Sequence, residues 1–144
     1  MIGTVAVGTD GSGTAERAVA AALTLAERFG ADVVLLSAYT SRGRGAGPRL
    51  GGGSSWDAEW ASNDAEQVER ILAIAEESAT QRGIRCSTAM GEGDPGEVLV
   101  NLAERHGADV LVVGSQGMER RILGSVPNTV THKAPCSVLV VKTT

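Results

Sequence analysis

Aromatic residues make up only 3% of this 144-residue chain. The 42% that is hydrophobic must therefore be drawn from Val, Leu, Ile and Ala. That disfavours an aromatic-rich β fold and suits small-residue helices packed on a sheet. Cysteine is equally scarce: Cys86 and Cys136 lie far apart without metal-ligand spacing and read as buried, reduced thiols. No run approaches the ~20 apolar residues of a membrane span, and the first strand is not preceded by a basic or long apolar leader. An excess of positive charge is missing too. A net charge of −4 argues against a nonspecific nucleic-acid or acidic-membrane partner. The expectation is one soluble, cytoplasmic domain over residues 1–144, large enough to bury a sizeable core. Both standard phosphate motifs are absent as well. No Gly-Lys pair occurs, so there is no P-loop, and Gly8, Gly11 and Gly13 have the wrong spacing for the dinucleotide fingerprint.

What is present is an alternation of buried strands and amphipathic helices. Residues 4–8 form a short apolar strand, and Thr9-Asp10-Gly11-Ser12-Gly13 turns it into a helix capped by Ser12. Ala15, Ala18, Val19, Ala22, Leu23, Ala26 and Phe29 recur at helical spacing, and Gly30 ends that helix. Residues 32–38 are a second buried strand, which completes a right-handed parallel βαβ unit. From about 41 to 55 the chain becomes glycine-rich and mildly basic without periodicity, as functional lids or loose connections are. Arg42, Arg44 and Arg49 there could reach a phosphate or simply be solvated. A helix is expected from near Asp57 to Arg82, with Trp56 and Trp60 as packing residues at its start. Residues 84–90 alternate apolar and polar, the mark of a half-exposed edge strand. Asp94 as N-cap, Pro95 at the first helical position and Glu97 three residues after the cap open another helix, which closes at His106-Gly107. Residues 109–113 are a buried strand, 126–133 a helix, and 137–142 a last strand entered through Ala134-Pro135.

The stretch from Gly114 to Pro127 joins that fourth strand to the last helix through Gly114, Gly117 and Gly124, followed by Ser125. Unpaired N–H groups and the dipole at a helix start favour an anion, and glycines let backbone approach a ligand closely. The stretch reads as a phosphate cradle or, alternatively, as a tight connection with Ser125 as N-cap. An internal echo organises the whole. Residues 28–38 and 105–115 each run from a helix end through Gly-Ala-Asp into a buried strand. Two related βαβ halves imply an α/β fold with a doubly wound, five-stranded parallel sheet, whose ligand sits beyond the strand ends where the strand order reverses. Setting the first and fourth strands side by side brings Gly8-Thr9-Asp10, Ser37-Ala38-Tyr39 and Gly114-Ser115 together. Asp10 there could accept ribose hydroxyls or could hold the turn.

At these residues the chain resembles the universal stress protein family over essentially its whole length. The resemblance is carried by residues 7–12, by 107–115, by Gly124-Ser125-Val126-Pro127 and by 134–141. It implies a sheet in the order 3-2-1-4-5, of the adenine nucleotide alpha-hydrolase-like type, with ATP, AMP or cyclic AMP as ligand. Asp10 would lie near the ribose or adenine, with Gly8, Thr9 and Ala38 lining the adenine slot. Gly114 and Ser115 would approach the ribose and first phosphate; Gly117, Met118, Gly124, Ser125, Val126 and Pro127 would hold the phosphates. The ATP-binding branch carries Gly-x2-Gly-x9-Gly-Ser/Thr, whereas this chain has six residues between Gly117 and Gly124. The shorter loop would hold fewer phosphates, or hold them with Arg120 and Arg121. Asp10 is the one candidate for Mg²⁺. With no group but Glu119 to orient a water, the expected role is nucleotide-dependent regulation, with slow hydrolysis or a non-binding interaction module as alternatives. The last strand, 137–142, is an apolar edge, and the family implies a homodimer through it. Gly114→Ala is expected to weaken the ligand by filling its space.

Overall fold

The computed structural model describes residues 2–41, 63–115 and 124–143. The glycine-rich 41–55 stretch beyond Ser41, both tryptophans, and Gly117, Met118, Arg120 and Arg121 of the cradle lie outside the described residues. The elements are β1 (Thr4–Gly8), α1 (Gly13–Phe29), β2 (Asp32–Tyr39), α2 (Ala65–Gln81), β3 (Cys86–Glu92), α3 (Pro95–Arg105), β4 (Val110–Gly114), α4 (Ser125–Lys133) and β5 (Ser137–Val141). All five strands are parallel, in the order β3-β2-β1-β4-β5. The fold is the doubly wound α/β sheet the sequence implies.

Local chemistry accounts for most boundaries. Ser12 caps α1, its Oγ accepting from the Ala15 N–H at 3.1 Å. Asp94 and Pro95 open α3 as expected, with the Glu97 N–H donating to Asp94 Oδ2 at 3.1 Å. The second helix differs. Asp64 is its N-cap, in a capping box with Gln67, so it starts at Ala65 rather than near Asp57. Phe29 is 50% exposed, not part of the buried stripe, because it sits on the last turn beyond the sheet's cover.

The interior strands bury both faces. Val5, Val7, Val33, Leu35 and Val112 pack with α1 and α2 on one side. Ala6, Val34, Leu36, Leu111 and Val113 pack with α3 and α4 on the other. Burying a side chain such as Leu35, Leu36 or Leu111, each 0% exposed, contributes about 1.5–3 kcal/mol. The edges are wetter: β3 and β5 hold half-buried and exposed residues and no fully buried one. No helix among the described residues is long and apolar enough to cross a membrane.

Candidate functional site

The strand order reverses between β1 and β4, which pair through Val5↔Val110, Ala6↔Leu111 and Val7↔Val112. From that point the chain leaves β1 for a helix on one face and β4 for a helix on the other, which opens a crevice above the strand ends. Gly8, Asp10, Ala15, Val113, Gly114, Val126 and Pro127 line it, around a cavity of about 20 Å³. That is room for one water-sized polar group; a larger ligand would lie over the mouth. The structure thus brings together five of the expected residues: Gly8, Asp10, Gly114, Val126 and Pro127.

Asp10 holds the turn, one of the two roles expected of it. It is 6% exposed, and its Oδ1 accepts from the Ser12 N–H at 2.9 Å and the Ser12 hydroxyl at 2.6 Å. Those bonds hold the turn into α1. Its Oδ2 is buried and has no hydrogen-bond partner among the described residues. A buried acceptor left unpaired is costly, so that oxygen marks where a donor belongs. Asn63 steadies the same residue from below, its Nδ2 donating to the Asp10 carbonyl at 3.3 Å.

The other expected residues are placed differently. Thr9 points to the opposite side of the sheet: its Oγ1 accepts from the Gly11 N–H at 3.1 Å, and it lines a cavity between α1 and α2. Ala38 is buried in the core beside α3 and does not line the crevice. Ser115 is fully buried, its Oγ accepting from the Thr143 N–H at 3.0 Å. Ser125 is the first residue of α4, not its cap; Gly124 holds the cap position, and no side chain caps the helix. The start of α4 thus carries the positive end of the helix dipole, which favours an anion beside Gly124.

Two glycines in the crevice lack side chains for packing reasons. A Cβ on Gly8 would lie 2.6 Å from Leu99 Cδ1. A Cβ on Gly114 would point at the Thr143 methyl, 3.3 Å away, and at Ala18. This corrects the expectation for Gly114→Ala, whose methyl would meet Thr143 rather than enter a ligand's space. Sequence reasoning missed Asn63 and Thr143, since neither carries a motif; the one hint at Asn63 is its place just before the Asp64 cap.

Metal binding has little to work with here. Among the described residues no three His, Cys, Asp or Glu cluster together, and Asp10 has one oxygen engaged. A Mg²⁺ held by one carboxylate would need phosphate oxygens and waters to complete its shell. Neither thiol is activated: burial pushes Cys86 up to about 11, helped by Glu76, and burial also raises Cys136. The larger cavity between α1 and α2, about 450 Å³, is walled largely by Val19, Leu23, Ile71 and Ile74. The guanidinium at its rim, Arg82, is paired with Glu27 at 2.7 Å.

The universal stress protein family model matches residues 1–142. A universal stress protein of Mycobacterium tuberculosis is 37% identical, with 98% of this chain and 97% of that protein covered. One from Methanocaldococcus jannaschii is 32% identical, over 96% of this chain and 81% of its own length. Among solved structures, the fold is similar to that of a universal stress protein crystallised in complex with cAMP. The TM-score is 0.76 and the identity 31%, with 99% of this chain and 98% of that one covered.

Proposed function

Since the chain belongs to the universal stress protein family, we propose that it is a cytoplasmic, single-domain regulatory protein that binds an adenine nucleotide in the crevice between β1 and β4. The observation that carries this reading is the buried, unpartnered Oδ2 of Asp10. It accepts a ribose hydroxyl, a donor small enough for the cavity and common to AMP and ATP. Phosphate lies against the start of α4 at Gly124 and Ser125, where the helix dipole favours an anion, with Gly117, Arg120 and Arg121 supplied by the short loop between β4 and α4. That loop is three residues shorter than in the ATP-binding branch it resembles, so AMP or cyclic AMP is favoured over ATP. The complex of the 31%-identical neighbour with cAMP supports the same choice. The ligand acts by occupancy: Asp10 is the one carboxylate lining the crevice among the described residues, and its Oδ1 is committed to Ser12. The protein assembles as a homodimer through β5, the last strand of the sheet among the described residues.

Calorimetry with AMP, cyclic AMP and ATP tests the reading. The wild type is expected to bind AMP or cyclic AMP more tightly than ATP. Asp10→Asn keeps an oxygen for Ser12 but removes the charge, and should weaken binding about 10- to 100-fold, the worth of one hydrogen bond to a charged group. The reading fails if no adenine nucleotide binds at millimolar concentration, or if Asp10→Asn binds as the wild type does.

A further inference from the structure

The residue that follows Lys142 is held more tightly than a segment beyond an edge strand needs to be. Thr143 is 3% exposed, and groups from β4 and α1 grip it. Its N–H donates to Ser115 Oγ at 3.0 Å, and its hydroxyl lies 3.4 Å from the same oxygen. Its carbonyl accepts from Arg17 Nη1 at 3.0 Å. Its methyl occupies the space beside Gly114 that a side chain there would fill. The Ser115 N–H donates back to the Val141 carbonyl at 2.8 Å. The end of β5, Thr143 and the end of β4 are therefore one hydrogen-bonded unit, and α1 clamps it from outside through Arg17.

Gly114 belongs both to that unit and to the crevice wall. Gly114 pairs with Val141 at the end of the β4–β5 ladder and has no side chain of its own to fix it further, so at the strand's last residue the packing of Thr143, with Ala18 beside it, helps set where it lies. We propose that Thr143 is a positioning residue for the adenine-nucleotide site and that Arg17 sets how firmly it acts; this rests on the nucleotide reading above. Arg17 does not line the crevice, so its influence on a ligand passes through Thr143. Linkage makes the effect reciprocal: a ligand that needs Gly114 in place tightens the hold on Thr143 by the same factor that Thr143 lends to the ligand.

The test uses the full chain with Arg17→Ala, Arg17→Lys and Thr143→Ala, reading amide hydrogen exchange at Ser115 and Thr143, AMP affinity and the urea midpoint. Arg17→Ala should speed exchange at both amides and weaken AMP about fivefold, with the urea midpoint unmoved because the side chain is on the surface. Arg17→Lys, which can still donate to the carbonyl, should recover most of the affinity. Thr143→Ala should weaken AMP at least as much as Arg17→Ala, and AMP should slow Thr143 exchange in the wild type. Wild-type exchange and wild-type affinity in Arg17→Ala and Thr143→Ala, in a protein that binds AMP, would overturn the positioning role alone. A wild type that binds no adenine nucleotide overturns the nucleotide reading and this role with it.

Discussion

A glycine at the end of a central strand invites interpretation as a ligand contact, yet Gly8 is shaped by Leu99. That leucine is fully buried on α3, and its two methyl carbons would lie 2.6 and 3.0 Å from a Cβ at position 8. Gly8→Ala is expected to displace Leu99 and cost about 1–3 kcal/mol, seen as a lower urea midpoint. Adding Leu99→Val should recover part of the loss, a coupling expected of residues in contact. Unchanged stability with lost nucleotide affinity would instead make Gly8 a ligand contact. Asp10 was legible in the sequence because a carboxylate just after a buried strand has few places to go. The side-chain directions of Gly8, Thr9 and Gly114 were not. A strand buried on both faces shows no alternation of apolar and polar residues, so its sequence does not say which face each residue takes.

Where the cap residue stands directly before the apolar pattern, the helix start is legible. Ser12, Asp94 and Pro95 mark their helices by chemistry that acts within one turn. The start of α2 lies later than the helical pattern suggests because good helix formers precede Asp64, and only its capping box with Gln67 marks the true start. The strand β3 begins two residues later than its alternation suggests, at Cys86, since pairing with β2 starts only at Val33↔Cys86. A tie between elements that no local pattern reveals is Asp109. At the start of β4, its Oδ2 accepts from the Gly3 and Thr4 N–H groups at 2.8 and 3.0 Å, and these bonds hold its carboxyl below the ordinary 3.8. A carboxyl lowered by folding stabilises the fold while ionised. That contribution is complete above the ordinary value and disappears as pH falls through the lowered one. Asp109→Asn should therefore be less stable than the wild type at pH 7, with the difference shrinking as the pH is taken well below 3.8. Urea midpoints at several pH values decide this; a gap that stays constant in acid would show that the charge is irrelevant.

At the scale of the molecule, the two faces of the sheet are closed by helices, but β3 and β5 leave two edges. On β5, Leu139 is 39% exposed, and an apolar edge of this kind invites pairing. The proposed dimer predicts a two-fold assembly at micromolar concentration by sedimentation, shifted toward monomer by Leu139→Lys. A wild type that sediments only as monomer would remove that proposal. The buried hydrophobic residues of the described chain are all Val, Leu, Ile or Ala, and its one phenylalanine is half exposed. The one tyrosine, Tyr39, packs against the core half-buried, and no tryptophan is buried among the described residues. Excitation at the red edge of the aromatic band, which only tryptophan absorbs, therefore reports on Trp56 and Trp60 alone, which precede in sequence Asn63, whose amide reaches the Asp10 backbone. The tryptophan signal thus comes from a part of the chain close in sequence to a contact with Asp10, and none of it comes from the described core.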